Sequence, residues 1–178
     1  LTNVTGASQT GGVLGSASMT ATNVHKVGNV TSTGSSVGGA FGYMSGTLNN
    51  VDSVGSVTVT GGNSNVGGLM GDGGSSTITT ASATGAVTAT SSSQVGGLIG
   101  YYGGGTLTSV ATSGGDIAGT SSVGGLIGYA AGSTTINTAS TVGKVTGTSS
   151  QVGGLVGYYY SGTITSASTS VGDISGTS

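Results

Sequence analysis

Apolar residues recur along the chain in short runs, separated by Gly, Ser and Thr, and the runs return in register. Val95 to Tyr101 reads VGGLIGY and returns unchanged at 123–129. Val152 to Tyr158 reads VGGLVGY, Val66 to Gly71 reads VGGLMG, and Val37 to Tyr43 reads VGGAFGY. A weaker copy, GGVLG, sits at 11–15. The Val-to-Val steps are 29, 29, 28 and 29 residues. The chain divides into a partial coil (1–9), a divergent repeat (10–36) and five clear repeats (37–65, 66–94, 95–122, 123–151 and 152–178).

Each repeat carries three apolar segments. VGGLIGY is the first. The second centres on one aliphatic residue between polar ones: Thr47-Leu48-Asn49, Thr77-Ile78-Thr79, Thr106-Leu107-Thr108, Thr135-Ile136-Asn137 and Thr163-Ile164-Thr165. The third starts at Val57, Val87, Ile117, Val145 and Ile174, each followed three residues later by Thr. Short β-branched runs bounded by turn residues predict strands. Gly costs about 1 kcal/mol against Ala in a helix interior, and no 3.6-residue stripe is present.

A 28–29-residue period with three short strands predicts an all-β, parallel β-solenoid of about six coils. No repeat can bury its apolar side alone, so stacked neighbours share one core. Stacking at about 4.8 Å per coil gives a rod roughly 30 Å long. The expected inward ladders are Val87/Ile117/Val145/Ile174, Ile78/Leu107/Ile136/Ile164 and Val95/Val123/Val152.

Composition narrows the function classes. Gly (40), Ser (30) and Thr (30) make up 100 of 178 residues, and only four Asp and two Lys are charged. There is no Cys, so disulfides and Cys-ligated metals are excluded. A net charge of −2 excludes a strongly basic nucleic-acid binder. No run of about 18 apolar residues predicts membrane insertion through a helix. Gly/Ser richness alone would suggest a linker, but disorder goes with low hydrophobicity and high charge. Here the mean hydropathy is +0.26.

The segment VGGLIGYYGGGTLTSVATSGGDIAGTSS resembles the GLUG repeat, found in large bacterial surface proteins such as filamentous-haemagglutinin-type adhesins and some surface peptidases. The resemblance covers about residues 10–178. It implies an extracellular repetitive stalk and carries over no catalytic residue, cofactor or metal ligand.

Strand alternation assigns outward faces. In the third segment the neighbours of the inward residue point out, giving Thr31/Thr33, Thr58/Thr60, Thr88/Thr90, Ala118/Thr120, Thr146/Thr148 and Ser175/Thr177. In the second they give Thr20/Thr22, Thr47/Asn49, Thr77/Thr79, Thr106/Thr108, Thr135/Asn137 and Thr163/Thr165. Such arrays suit an exposed parallel sheet; flat Thr-x-Thr arrays on β-solenoids also resemble those of antifreeze proteins. The candidate ice-binding array is Thr58, Thr60, Thr88, Thr90, Thr120, Thr146, Thr148 and Thr177.

The first segment holds two adjacent apolar residues in every copy, which a simple strand would send to opposite faces. Either a corner at Gly-Gly turns both inward, or one row lies outside. In the latter case Leu69, Leu98, Leu126 and Leu155, with Tyr101, Tyr129 and Tyr158, form a self-association face. The Tyr cluster (Tyr43, Tyr101, Tyr102, Tyr129 and Tyr158 to Tyr160) reads as a packing ladder or a carbohydrate-stacking surface.

Asp116, Lys144 and Asp173 share a repeat position and predict an alternating charge ladder; His25 and Asp52 align likewise. Asp72 reads as a turn residue. VGGLIG lacks the G-x-G-x-x-G spacing of a dinucleotide site, and Asn3-Val4-Thr5 and Asn29-Val30-Thr31 match the glycosylation sequon. The chain begins at Leu1-Thr2-Asn3-Val4 and ends at Ser178 inside a repeat, which points to a processed product or a fragment. The C-terminal remnant could be completed by the N-terminal remnant of a second copy, giving head-to-tail filaments. The expectation is a non-enzymatic extracellular structural protein, a fibre or adhesin stalk that associates with itself. The alternatives are an ice-binding protein and a passive repeat region of a larger surface protein, with surface carbohydrate as a further partner.

Overall fold

The computed structural model describes residues 3–62 and 65–177. Leu1, Thr2 and Ser178, in the terminal remnants, lie outside the described residues, as do residues 63 and 64. The described chain is all-β and winds as a parallel β-solenoid of about six coils, its strands forming a 13-stranded and a 6-stranded sheet.

Three strands per coil are present, as the repeat predicts, but only two of them are short. The coil of residues 94–119 shows the plan. A short inner strand, Gln94–Gly96, leads through Gly97 and Leu98 into a long strand, Ile99–Ser113, followed by a short outer strand, Ile117–Gly119. The long strand joins the end of the first segment, the second segment and a further run, Val110 to Thr112. It turns a corner at Ser109, which has φ +54°, a conformation shared at the same repeat position by Asn23, Asn50, Thr80 and Ser166. Asn tolerates this left-handed region well, whereas a β-branched Thr is strained there. Asn50 Nδ2 donates to Asn23 Oδ1 across this corner (2.8 Å). In the last two coils the long strand breaks in two and runs into the outer strand, as Ala139–Gly147 and Ala167–Ser175.

The predicted inward ladders form in register. Val37, Val66, Val95, Val123 and Val152 pair in sequence along the inner strands. Leu48, Ile78, Leu107, Ile136 and Ile164 pair along the long strands. Val57, Val87, Ile117, Val145 and Ile174 pair along the outer strands. Ile164 and Ile174, in the last coil, remain 44% and 50% exposed.

The interior has two compartments. One holds Leu98, Ile99, Tyr102, Leu107, Val110 and their equivalents; the other holds Val95, Ile117 and theirs. The wall between them is the VGGLIG turn. After Gly96 the chain doubles back, and the two legs touch through glycine backbone. A Cβ on Gly96 would sit 2.0 Å from Ile99 O and 2.7 Å from Gly128 N; one on Gly100 would sit 2.3 Å from Val66 N. Only glycine permits that approach. The turn sends Val95 into one compartment and both Leu98 and Ile99 into the other.

Stacked side chains in the larger compartment alternate in size. Met44, Gly73, Tyr102, Ala130 and Tyr159 occupy one row in successive coils. A Cβ on Gly73 would meet the Tyr102 ring and the Met70 sulfur at 3.1 and 3.2 Å, so the small residue makes room for large neighbours. Tyr102 is fully buried, and its hydroxyl donates to Ser76 O (2.5 Å). Tyr159 donates in the same way to Thr134 O (2.5 Å).

Two predictions follow from this packing. Gly100→Ala cannot be relieved by side-chain rotation, because the atoms its Cβ would meet are Val66 N, Asn65 C and Gly71 O, all main chain. It should cost at least about 4 kcal/mol or abolish cooperative unfolding. Gly172→Ala, which meets nothing within 4 Å, should change stability by less than about 0.5 kcal/mol in the same urea titration.

Burial pushes the Tyr102 phenol from 10.0 up to about 12. Between those values the folded chain keeps a proton that the unfolded chain releases. This contribution is complete below pH 10 and is lost as pH rises toward 12, by about 2–3 kcal/mol at 1.36 kcal/mol per pH unit. Tyr102→Phe should flatten that alkaline fall, measured as urea midpoints at successive pH values.

Candidate functional surfaces

Packed side chains fill both compartments, so the surfaces open to a partner are the outward rows and the ends. On the long strands the outward columns flank the inward Ala21/Leu48/Ile78/Leu107/Ile136/Ile164 ladder. One column is an unbroken in-register row of Thr20, Thr47, Thr77, Thr106, Thr135 and Thr163. Beside it lie Thr22, Asn49, Thr79, Thr108, Asn137 and Thr165. The register irregularities of these strands fall before the columns, between Met44 and Gly46, Tyr102 and Gly105, and Ala130 and Ser133. Among the described residues, the one hydrogen bond between side chains of these columns runs from Asn137 Nδ2 to Thr108 Oγ1 (3.4 Å). Neither column contains a charged residue. β-branched side chains on a strand are stiff at χ1, so the columns form a fixed grid with a rung spacing of about 4.8 Å.

The array on the outer strands is less regular. Thr58, Thr88 and Thr146 point outward as expected, but Ala118 interrupts their column and Ser175 ends it. In the column of Thr60, Thr90, Thr120, Thr148 and Thr177 the backbone leaves the ladder. Ser92 N closes a turn onto Ala89 O (2.8 Å), and Thr120 N bonds Ser92 O (2.9 Å). The hydroxyls of Thr120 and Thr177 donate to the Thr90 and Thr148 carbonyl oxygens (3.0 and 2.6 Å). The regular grid therefore lies on the long strands, not on the array singled out from sequence.

The apolar association face is corrected as well. Leu69, Leu98 and Leu126 are 0% exposed, because the glycine turn carries both residues of each apolar pair inward. Leu155 is half-buried in the last coil. No outer leucine row remains for lateral association.

The Tyr residues split by strand alternation. Tyr102 and Tyr159 face inward. Tyr43, Tyr101, Tyr129 and Tyr158 share an outward row with Ser16 and Asp72. Tyr101 and Tyr129 stack at 5.8 Å between ring centroids, and Tyr129 and Tyr158 at 4.5 Å, with interplanar angles of 8° and 11°. Both faces of Tyr129 are thus covered by neighbouring rings, and the row shows solvent its edges and hydroxyls.

Charged side chains act chiefly as local hydrogen-bonding groups. The expected Asp116–Lys144–Asp173 charge ladder does not form. Asp116 Oδ1 instead accepts from the Lys144 backbone N–H (3.1 Å). Asn3 Oδ1 and Asn29 Oδ1 do the same for Asn29 N and Ser56 N (3.1 and 3.0 Å), so the position serves as a backbone cap between coils. His25 and Asp52 do pair, at 2.5 Å on the surface. Burial pushes the Asp72 carboxyl up, while Asn65 Nδ2 donates to it (3.1 Å) and opposes that shift.

One interior repeat position that takes polar residues in several coils escaped the sequence reading. Lys26 is 5% exposed, and its ammonium donates to Gly28 O. Burial lowers its pKa from the usual lysine value. The equivalent Thr112 and Thr141 donate to Gly125 O and Gly154 O (3.0 and 2.9 Å), tying each coil to the glycine turn of the next. The signal was a polar residue two positions after the inward Val110 and Ala139, in phase with them.

At the C-terminal end the smaller compartment opens into a recess of about 360 Å³, lined by Val152, Ile174 and Thr177 among others. Among the described residues the outer strand has seven rungs, Val4 through Ile174, and the inner strand six.

No family model, curated protein or solved structure matches the chain.

Proposed function

We propose that the chain is a rigid rod segment of an extracellular structural protein, a fibre or adhesin stalk of the kind the GLUG resemblance implies. The observation that supports this is the coil-on-coil register, in which all three strand types continue from one coil to the next. A structure whose length is set by coil count suits a spacer. The test is deletion of two coils, residues 66–122, which retains the alternation of large and small core residues. The shortened chain should still unfold cooperatively and scatter X-rays as a rod roughly 10 Å shorter. Loss of folding would overturn the rod reading. Antibody to the chain should label intact cells of the source organism; labelling only after permeabilisation would overturn the extracellular assignment.

One observation favours a second reading. The six-rung Thr column and its Thr/Asn neighbour form a flat, uncharged, stiff grid of hydroxyls and methyls with few internal partners. Such a grid holds water in a repeating arrangement and suits adsorption to ice. Thr77→Tyr and Thr106→Tyr should abolish inhibition of ice recrystallisation, while Thr58→Tyr and Thr146→Tyr should leave it intact. A wild-type chain with no inhibition, or loss confined to the outer-strand variants, would defeat this reading.

A further inference from the structure

The stacked tyrosines point to a chemistry that the rod reading does not require. We propose that Tyr129 and Tyr158 are a site of oxidative coupling, where a haem peroxidase with hydrogen peroxide forms a dityrosine bond between adjacent coils.

The geometry singles out this pair. The two residues are directly opposed in register, with ring centroids 4.5 Å apart and planes 11° from parallel. Tyr101 stands farther from Tyr129, at 5.8 Å. Tyr43 is separated from the stack by the Asp72 rung. Tyr102 is buried, and its hydroxyl and that of Tyr159 are engaged with backbone carbonyls. Tyr160 is 68% exposed and open to solvent, but it has no stacked ring among the described residues. Tyr129 and Tyr158 are half-exposed, so their edges are open to a one-electron oxidant while the backbone ladder holds them together.

The step balances. Each phenol gives up one electron and its hydroxyl proton, leaving a phenoxyl radical with spin on the ortho carbons. Two such carbons join in a C–C bond, and the two ring protons at those carbons move to the oxygens, restoring both phenols. The pair loses two hydrogen atoms overall, and one hydrogen peroxide is reduced to two waters. Pre-alignment makes the coupling effectively unimolecular.

The bond would lock the last coil to the one before it. Ile164 and Ile174 of that coil are half-exposed.

The sequence supplies a direct assay. Lys26 and Lys144 are the only sites for trypsin, and Lys144 lies between the two tyrosines. The dilute folded chain is treated with a plant peroxidase and limiting peroxide, then unfolded and digested. The expected product is a monomer lighter by two hydrogens, with blue dityrosine fluorescence and fragments 27–144 and 145–178 joined. Tyr129→Phe and Tyr158→Phe, each checked for native circular dichroism, should reduce the joined fragment to background; Tyr43→Phe and Tyr160→Phe should not. Coupling mainly between molecules, or a joined fragment that survives Tyr129→Phe, would overturn the proposal.

Discussion

Gly96 and Gly100 lie on two legs of a turn that touch backbone to backbone, with no side chain between them. That contact recurs in the clear repeats and fixes much of the molecule around it. It splits the interior into two compartments, which in the coil of residues 94–119 take Leu98, Ile99, Tyr102, Leu107 and Val110 on one side and Val95 and Ile117 on the other. It forces Leu98 and Ile99, adjacent in sequence, into the same compartment. It also brings the inner strand close enough for Thr112 and Thr141 to bond the glycine carbonyls of the following coil. A Cβ at either glycine would separate the legs and open both compartments together, because the obstructing atoms are main chain.

With so few charged residues, the coils are joined by other means. Backbone ladders carry most of the load, and short polar side chains close the corners where the ladders bend. Asn3, Asn29 and Asp116 accept from the next coil's backbone, and Asn50 bonds Asn23 at the left-handed corner. Each group is matched to a specific orphan donor or acceptor, as buried or half-buried backbone requires. Ser and Thr are abundant because hydroxyls can meet these local needs without a desolvated charge.

The period, the strand count and the three aliphatic ladders were legible in the sequence, because a parallel stack repeats the same residue type at the same position. The glycine turn was half legible: the doubled apolar pair signalled that something other than a plain strand was present, but either a corner or an outer row satisfied the pattern. Close contact between main chains leaves no mark in sequence except glycine itself, and this chain has glycine everywhere. The size alternation of Met44, Gly73, Tyr102, Ala130 and Tyr159 was concealed for another reason. It can be recognised only after the coils are aligned, since within one repeat Tyr101-Tyr102 reads as a surface cluster. The two Thr arrays looked equivalent because alternation gives the side a residue faces and not the straightness of its backbone. The turn at Ala89 to Ser92 bends one array, while the other keeps its register from rung to rung.

Among the described residues one contact joins side chains of opposite formal type, that of His25 with Asp52 on the surface, and this bears on how the fold responds to salt. Salt weakens attraction between exposed charges, over a screening length of about 10 Å at 0.1 M and 3 Å at 1 M. Hydrogen-bonded ladders and packed aliphatic columns do not depend on that attraction. A solenoid held together in this way owes little of its fold to interactions that ionic strength can weaken.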